Sequence, residues 1–525
     1  MGARLRKLTL RIPYILAAGC AISLAAVWAF APEGHRQARI ERTYVVVGSF
    51  GALLLLWTLF LSRLRLAARL AIVAGLLAAG GLGAALVRFR GVTGDLELIL
   101  EWRTREPPAR ELPPDAQAAK VAPSDLDAAE APWLDFPQFL GPERNGTVPG
   151  VRLARDWAAR PPRLVWRREV GAGWSGFAVS GRRAFTQEQR GEEEIVACYD
   201  LLTGALLWAH ADRARFERSF AGVGPRATPA VEGKDVYALG ATGILNCLDR
   251  SSGAGRWSRN VVEENRARPP EWGVAGSPLV LGRLVVVNAG GPEGRSLVAY
   301  DRASGEIVWS GGSDRAGYSS PARATIAGVP QILVFNHSSV AAHDERDGRP
   351  LWEWPWAYGK PNVAQPLPVP GDRVFVSSGY GVGCALLDVR RTAEGAYVVE
   401  EAWQTTSLKA KFANSVRRGD FVYGLDDGTL VCVDLETGAR RWKGARYGHG
   451  QLLLVEDLVL VSAEAGYVAL VEAVPDGFRE AARHPALGEK TWNSPALAAP
   501  YLLLRNDRRA ACYELPLDPP PAPPR

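Results

Sequence analysis

The residues that could do chemistry in this chain are scattered, and one placement unites them. Trp174, Arg226, Glu271 with Trp272, Tyr318, Asn362, Lys409 with Lys411 and Asn414, His449 with Gln451, and Trp492 with Asn493 each stand just before a short apolar strand. If those strands are equivalent members of a ring, the residues converge on one opening. Aromatic planes beside Arg and Lys would there suit a flat anion, through cation–π contact and charge-assisted hydrogen bonds. The same residues could instead stabilise a polar channel mouth. Glu271 is the one carboxylate among them, a poor supply for Ca²⁺, which takes six to eight oxygen ligands.

Other chemistry is thinner. Of six cysteines, Cys20 lies in an apolar run. Cys198, Cys247, Cys432 and Cys512 each stand two residues before an acid on equivalent strands, and Cys384 is on the matching strand of another repeat. A repeated position is a packing position, so these read as buried thiols. No Cys-x-x-Cys or His-x-x-x-His spacing points to zinc. Gly173-Trp174-Ser175-Gly176-Phe177 misses the nucleophile elbow, because Phe177 stands where Gly is needed. No phosphate-cradling Gly-rich loop is present. Asn145-Gly146-Thr147 matches a glycosylation sequon but reads more simply as a turn. The net charge of +6 is spread out, without the basic run that tracks a phosphate backbone, so nucleic acid is not an expected partner.

The elements that must position these residues are repeated. An apolar strand ends in Asp; two variable residues, a small polar residue and Gly follow; Trp comes three residues later. The pattern runs through Asp200-Thr203-Gly204-Trp208, Asp249-Ser252-Gly253-Trp257, Asp301-Ser304-Gly305-Trp309, Asp344-Asp347-Gly348-Trp352 and Asp434-Thr437-Gly438-Trp442. Asp388 to Trp403 is a copy with an insertion in its turn, and Val468 to Glu472 and Cys512 to Glu514 look like degenerate copies. Asp closes the turn on backbone N–H groups ahead of it. Gly takes the left-handed conformation that reverses the hairpin. Trp wedges between sheets. Two further strands precede each turn, and four short strands per 40–50 residues is the signature of a β-propeller.

The expected fold is therefore all-β: an eight-bladed propeller of four-stranded blades, preceded by three transmembrane helices. Leu164-Val165-Trp166 resembles an outer strand and should complete the last blade beside Cys512-Tyr513-Glu514, closing the ring.

The turn copies resemble the pyrroloquinoline-quinone-like repeat shared by quinoprotein alcohol dehydrogenases and the outer-membrane assembly factor BamB. The likeness covers about Phe136 to Leu515. The lead-in Phe136-Pro137-Gln138-Phe139-Leu140-Gly141-Pro142 with Arg144-Asn145-Gly146 also resembles the opening of bacterial propellers of this kind. WD-repeat and kelch signatures are missing or out of register.

The resemblance implies two functions. One is a non-catalytic assembly or protein-binding scaffold with a protein partner on the propeller rim. The alternative is a quinoprotein dehydrogenase-like oxidoreductase. There the quinone would lie in the central funnel against Trp174, Arg226, Trp272, Tyr318, Lys409, Lys411, Asn414, His449 and Trp492. The catalytic quinoproteins have a vicinal Cys-Cys disulfide, a Ca²⁺ site of Glu and Asn, and an Asp base. This sequence has no Cys-Cys pair. No catalytic residue or resident metal is therefore expected, and pyrroloquinoline quinone is the one cofactor the resemblance suggests.

Three apolar runs, Ile12 to Phe30, Thr43 to Leu61 and Leu66 to Val87, are each long enough to cross a bilayer. Arg4, Arg6, Lys7 and Arg11 precede the first, and Arg63, Arg65 and Arg69 lie between the second and third. That bias predicts a cytoplasmic N-terminus in a bacterial inner membrane and a periplasmic propeller. The expected organisation is an anchor over 1–90, a flexible Pro-, Ala- and acid-rich linker over 91–132, the propeller over 133–515 and a disordered Pro-rich tail over 516–525.

Overall fold

The computed structural model describes residues 2–30, 36–103, 133–218, 220–356 and 359–519. The chain divides into two compact units, Met1–Pro107 and Pro108–Arg525.

The first unit holds helices α1 (Gly2–Phe30), α2 (Arg36–Leu56, continued by a π-helical turn, Trp57–Leu61) and α3 (Leu66–Leu86). Arg11–Phe30, Arg36–Leu61 and Leu66–Leu86 are each long and apolar enough to cross a membrane. Two strands follow, β1 (Val87–Val92) and β2 (Leu98–Trp102), paired as a hairpin. Residues 91–102, expected as linker, are thus in large part ordered: Leu98, Ile99 and Leu100 supply the short β-forming run that a purely flexible segment lacks. The expected linker residues 104–132 lie outside the described residues, as do 520–525 of the tail.

The second unit is the eight-bladed propeller. Seven blades follow one another over 178–212, 230–260, 279–311, 322–355, 367–405, 416–446 and 451–485. The eighth takes three strands from 496–514 and its outer strand from β4 (Arg163–Glu169), after the short strand β3 (Thr147–Val148). In the seam, Trp166 lies opposite Cys512 and Arg163 opposite Glu514. The two ends of the domain are thereby paired as expected, and no blade is left with an open edge at the join.

The turn motif works as its residue types require. Asp200 Oδ1 accepts from Leu202 N (3.0 Å), Thr203 N (2.8 Å) and Thr203 Oγ1 (2.9 Å). Asp249, Asp301 and Asp434 repeat the arrangement. The Gly has a second duty. Gly204 has φ +70°, and a Cβ there would stand 2.6 Å from the Trp166 ring of the preceding blade. Gly305 meets Trp257 in the same way at 2.6 Å and Gly438 meets Trp403 at 2.7 Å. Each Trp thus lies flat on the next blade's turn. Its Nε1 donates to the carbonyl after that turn's Asp: Trp166 to Leu201 (2.7 Å), Trp208 to Arg250 (3.0 Å), Trp257 to Arg302 (3.0 Å) and Trp403 to Leu435 (2.9 Å). The repeated thiols Cys198, Cys247 and Cys432 face Trp208, Trp257 and Trp442 across the hairpin and are buried and free.

The lead-in does more than open the domain. Phe136 bridges Val179 in the first blade, and Pro137 O accepts from Val231 N in the second. The Arg144 guanidinium donates to Ser277 O (3.0 Å) and Pro278 O (2.9 Å) before the third. β3 then adds a fifth, parallel strand inside the seventh blade. Leu153 bridges Leu517, and Asp518 N donates to Arg152 O (2.8 Å), so 516–518 are docked rather than disordered. The lead-in therefore runs from blade to blade across the inner strands.

Candidate functional site

Innermost strands begin on one face of the ring, and the loops before them carry the residues singled out in the sequence. Because each loop comes from a different blade, residues up to about 320 positions apart are neighbours: Asn493 Nδ2 donates to Gly173 O (3.1 Å) and Ser175 O (2.8 Å).

The aromatic members do come together. Trp174 lies 4.9 Å from Trp492, which lies 5.2 Å from Phe412. Phe412 continues to His449 at 5.5 Å and, edge-on, to Trp272 at 6.2 Å. Trp272 is stacked on Tyr318 at 5.0 Å with 24° between planes, and its backbone N–H donates to the Tyr318 hydroxyl (3.3 Å). Tyr380 closes the group 6.4 Å from Trp272. Burial raises both the Tyr318 and Tyr380 hydroxyls, so they stay protonated at neutral pH.

The cations are engaged within this network. Arg226 lies over the Phe216 ring at 4.4 Å and donates to Ala221 O (2.8 Å) and to Gly224 O. Burial pushes its guanidinium down to about 10, with Glu194 opposing, so it remains charged at neutral pH. Lys409 is buried against Asp426, with Asp427 at 3.8 Å. Lys411 lies 4.9 Å from the centre of Tyr380 and 5.4 Å from that of Phe412. Lys490 sits over Trp492 at 4.2 Å and Trp174 at 4.8 Å. Glu464 accepts from Trp492 Nε1 (2.7 Å) and from His449 N (3.0 Å).

The polar amides are structural. Asn362 Nδ2 donates to Asn336 O (3.0 Å) and His337 O (3.1 Å), while Gln451 Nε2 bridges Phe412 O (3.1 Å) and Trp492 O (3.0 Å). Asn414 is not among the rings. It accepts from Gln365 N (2.7 Å) and lines a cavity of about 240 Å³ shared with lead-in residues Leu140, Arg144 and Thr147. Glu271 is exposed.

Sequence reasoning missed Phe412 and Lys490, although both lie in the window before an inner strand. It also missed Phe216, Tyr380, Asp426, Asp427 and Glu464. Tyr380, Asp427 and Glu464 stand between the second and third strands of their blades, turns that border the same mouth and carried no repeated signal. Among the described residues, no three His, Cys, Asp or Glu side chains gather as a metal site.

Comparison with known proteins places this architecture. The sequence profile of the outer membrane protein assembly factor BamB family matches residues 192–444. No curated protein matches the chain. BamB from Moraxella catarrhalis is 17% identical with a TM-score of 0.50, over 67% of this chain and 100% of that one. The quinohemoprotein alcohol dehydrogenase from Comamonas testosteroni is 12% identical with a TM-score of 0.51, over 77% of this chain and 84% of that one. Quinohemoprotein alcohol dehydrogenase ADHIIG from Pseudomonas putida HK5 is also 12% identical, with a TM-score of 0.50 over 80% and 85%. The chain carries a pyrroloquinoline-quinone-like β-propeller, a fold shared by the assembly factor and by these dehydrogenases.

Proposed function

We propose that the protein is a membrane-anchored, non-catalytic propeller that binds a protein partner outside the cytoplasm. The observation that carries this reading is the state of the mouth. A planar anionic cofactor needs an open ring face and cations free to meet its carboxylates. Here the Trp272 face is taken by Tyr318, Arg226 is committed to Phe216 and two carbonyls, and Lys409 to Asp426. The carboxylates that lie near, Asp426 and Glu464, are engaged by a lysine and by N–H donors rather than set around a cation hole. The donor set does not fit a quinone with its Ca²⁺, and no reaction step is drawn through one. A propeller whose funnel is filled by its own side chains keeps its rim for recognition, where loops vary without disturbing the core.

The helices of membrane-spanning length and their flanking Arg and Lys residues support an inner-membrane anchor with a cytoplasmic N-terminus. A phosphatase reporter fused after Val121 should be active and one fused after Arg65 inactive; the reverse pattern removes the external assignment.

The binding reading is tested by titrating the detergent-solubilised full chain with the quinone and Ca²⁺, following Trp fluorescence and dye reduction. No saturable change is expected at millimolar ligand. A saturable change that weakens roughly ten- to a hundredfold in Arg226→Ala, the loss of one charge-assisted contact, would establish the oxidoreductase instead.

A further inference from the structure

The hairpin that follows α3 exposes a row of large apolar side chains on one face. α3 ends at Leu86 and β1 begins at Val87, with no residue between them. Along β2 the exposed positions are Leu98, Leu100 and Trp102, which alternate with Ile99 and Glu101. Register sets Phe89 opposite Leu100 and Val87 opposite Trp102, and cross-strand partners point to the same side. Phe89, Leu98, Leu100 and Trp102 are 52%, 54%, 58% and 60% exposed. That is a continuous apolar face of four large side chains, one of them an indole.

The opposite face is different. Glu101 pairs there with both Arg88 (3.1 Å) and Arg90 (3.2 Å), so the polar groups of that face satisfy one another and are largely covered. The tip turns back to α2. Arg36, in the first turn of that helix, bonds Glu97 at 2.6 Å and lies 3.6 Å from Asp95, and the Tyr44 hydroxyl donates to Leu96 O at 3.1 Å. The hairpin is therefore held at both ends, by its covalent link to α3 and by the clamp on α2. Both attachments are at the same end of the helical unit, where α3 finishes and α2 starts.

This placement decides what covers the face. A chain extends at most about 3.5 Å per residue, so Phe89 lies within about 10 Å of the end of α3. The apolar helix stops there, and the hydrocarbon boundary with it. We propose that the hairpin lies in the membrane interface, with Phe89, Leu98, Leu100 and Trp102 turned into the headgroup–acyl boundary and the largely covered Arg88–Arg90–Glu101 ion pairs on the side away from it. The occupant of the face is the lipid bilayer itself. Amphipathic elements sit at this depth, and Trp is enriched there because its ring is apolar while its N–H needs a polar partner. The hairpin then fixes the level at which the chain leaves the membrane. The inference rests on the reading of α1–α3 as membrane spans.

The test uses the full chain in lipid nanodiscs. Cys20→Ala leaves only buried cysteines, so a maleimide-linked environment-sensitive dye should label a single introduced site. The sites are Leu100→Cys on the hairpin and Leu76→Cys in α3. Lipid spin-labelled high on its acyl chain should quench the dye at 100 about twofold, whereas lipid labelled at the chain end should quench it much less, as expected for a side chain buried about 5–10 Å below the headgroups. The dye at 76 should respond to the chain-end label. If 76 is not quenched by either lipid, the spans themselves are wrong. If 76 is quenched while 100 answers only to aqueous iodide, the hairpin is in water and the proposal is overturned. If 100 is shielded from both iodide and lipid, protein covers the face, and the bilayer assignment fails in the same way.

Discussion

Two sets of tryptophans hold the propeller, and they are held by opposite means. Trp166, Trp208, Trp257, Trp309 and Trp403 each lie on the motif Gly of the following blade. Each bridges two neighbours in the ring, and the partner is backbone that any copy of the motif supplies. Trp174, Trp272 and Trp492 stand at the mouth and meet other rings. Trp272, which precedes the third blade, reaches Phe412, which precedes the sixth. The outer set is written once and repeated; the mouth set is a single construction of unlike residues. The difference separates what makes the fold from what fills its centre.

The comparison is broken most forcefully at the seam. Deleting Arg163 to Arg168 removes most of β4, opens the ring and takes Trp166 from its place on Gly204. Several kcal/mol of stability should be lost, because an unpaired edge is added to the loss of a buried Trp, itself worth about 3–5 kcal/mol. Urea unfolding of the full chain in detergent measures it, and an unchanged midpoint would show that the seam is not what closes the ring.

Next in size is Gly204→Ala. The substitution strains a residue at φ +70° and sets a methyl 2.6 Å from the Trp166 ring. Left-handed backbone costs about 1–2 kcal/mol and an overpacked contact about 1–3 kcal/mol, so a loss of about 2–5 kcal/mol is expected. Gly181→Ala is the control, since it has φ +55° and open space around the position. If the two cost the same, the Gly serves the turn alone and the stacking account is wrong.

Trp272→Ala should cost less than Trp208→Ala. Trp208 is buried between blades, whereas Trp272 is half-buried, and its neighbour Phe412 keeps its contact with Trp492 when the Trp272 ring is removed. About 3–5 kcal/mol is expected for Trp208 and roughly half of that for Trp272. Equal losses would mean that the mouth is as much a part of the fold as the blade junctions.

The same division explains what the sequence disclosed. Asp200, Gly204 and Trp208 recur in register, so blade number, turn geometry and the pairing of Trp166 with the last blade all followed from counting. Gly204's stacking partner did not, because it belongs to the preceding copy. The path of Arg144 to Ser277 O and Pro278 O was illegible, since a lone Arg in a Gly- and Pro-rich stretch carries no pattern until the ring brings the third blade beneath it. At the mouth, Trp174, Trp272, Tyr318 and Trp492 were found by their place before inner strands. Their closure on Phe412 and Tyr380 was not, because those contacts cross the ring, and strand periodicity says nothing about that direction. Arg440 shows the same limit. It stands only two residues before the motif tryptophan Trp442, yet it lies 3.2 Å from Asp426, the partner of Lys409.

The smallest effect concerns charge at the mouth. Burial raises the Asp427 carboxyl above its ordinary value of 3.8, although Lys409, His449 and Lys411 pull it down; Asp426 pushes it further up. With the folded value above the unfolded one, the native state holds more protons than the unfolded state between the two values. Stability from this group is then fullest below the ordinary value and is lost as pH climbs to the raised one. Wild type should therefore gain slightly on acidification from neutral pH, and Asp427→Asn should lack that gain. Lys409 keeps Asp426 in the variant, so the buried amine is not stranded. The quantity to measure is the difference between the two proteins' urea midpoints at several pH values, which cancels groups common to both. It should move in favour of wild type toward acid. A difference that does not vary with pH would mean that Asp427 is solvated. The mouth would then be open to water and ligand in a way that the filled ring of Trp272, Phe412 and Trp492 does not allow.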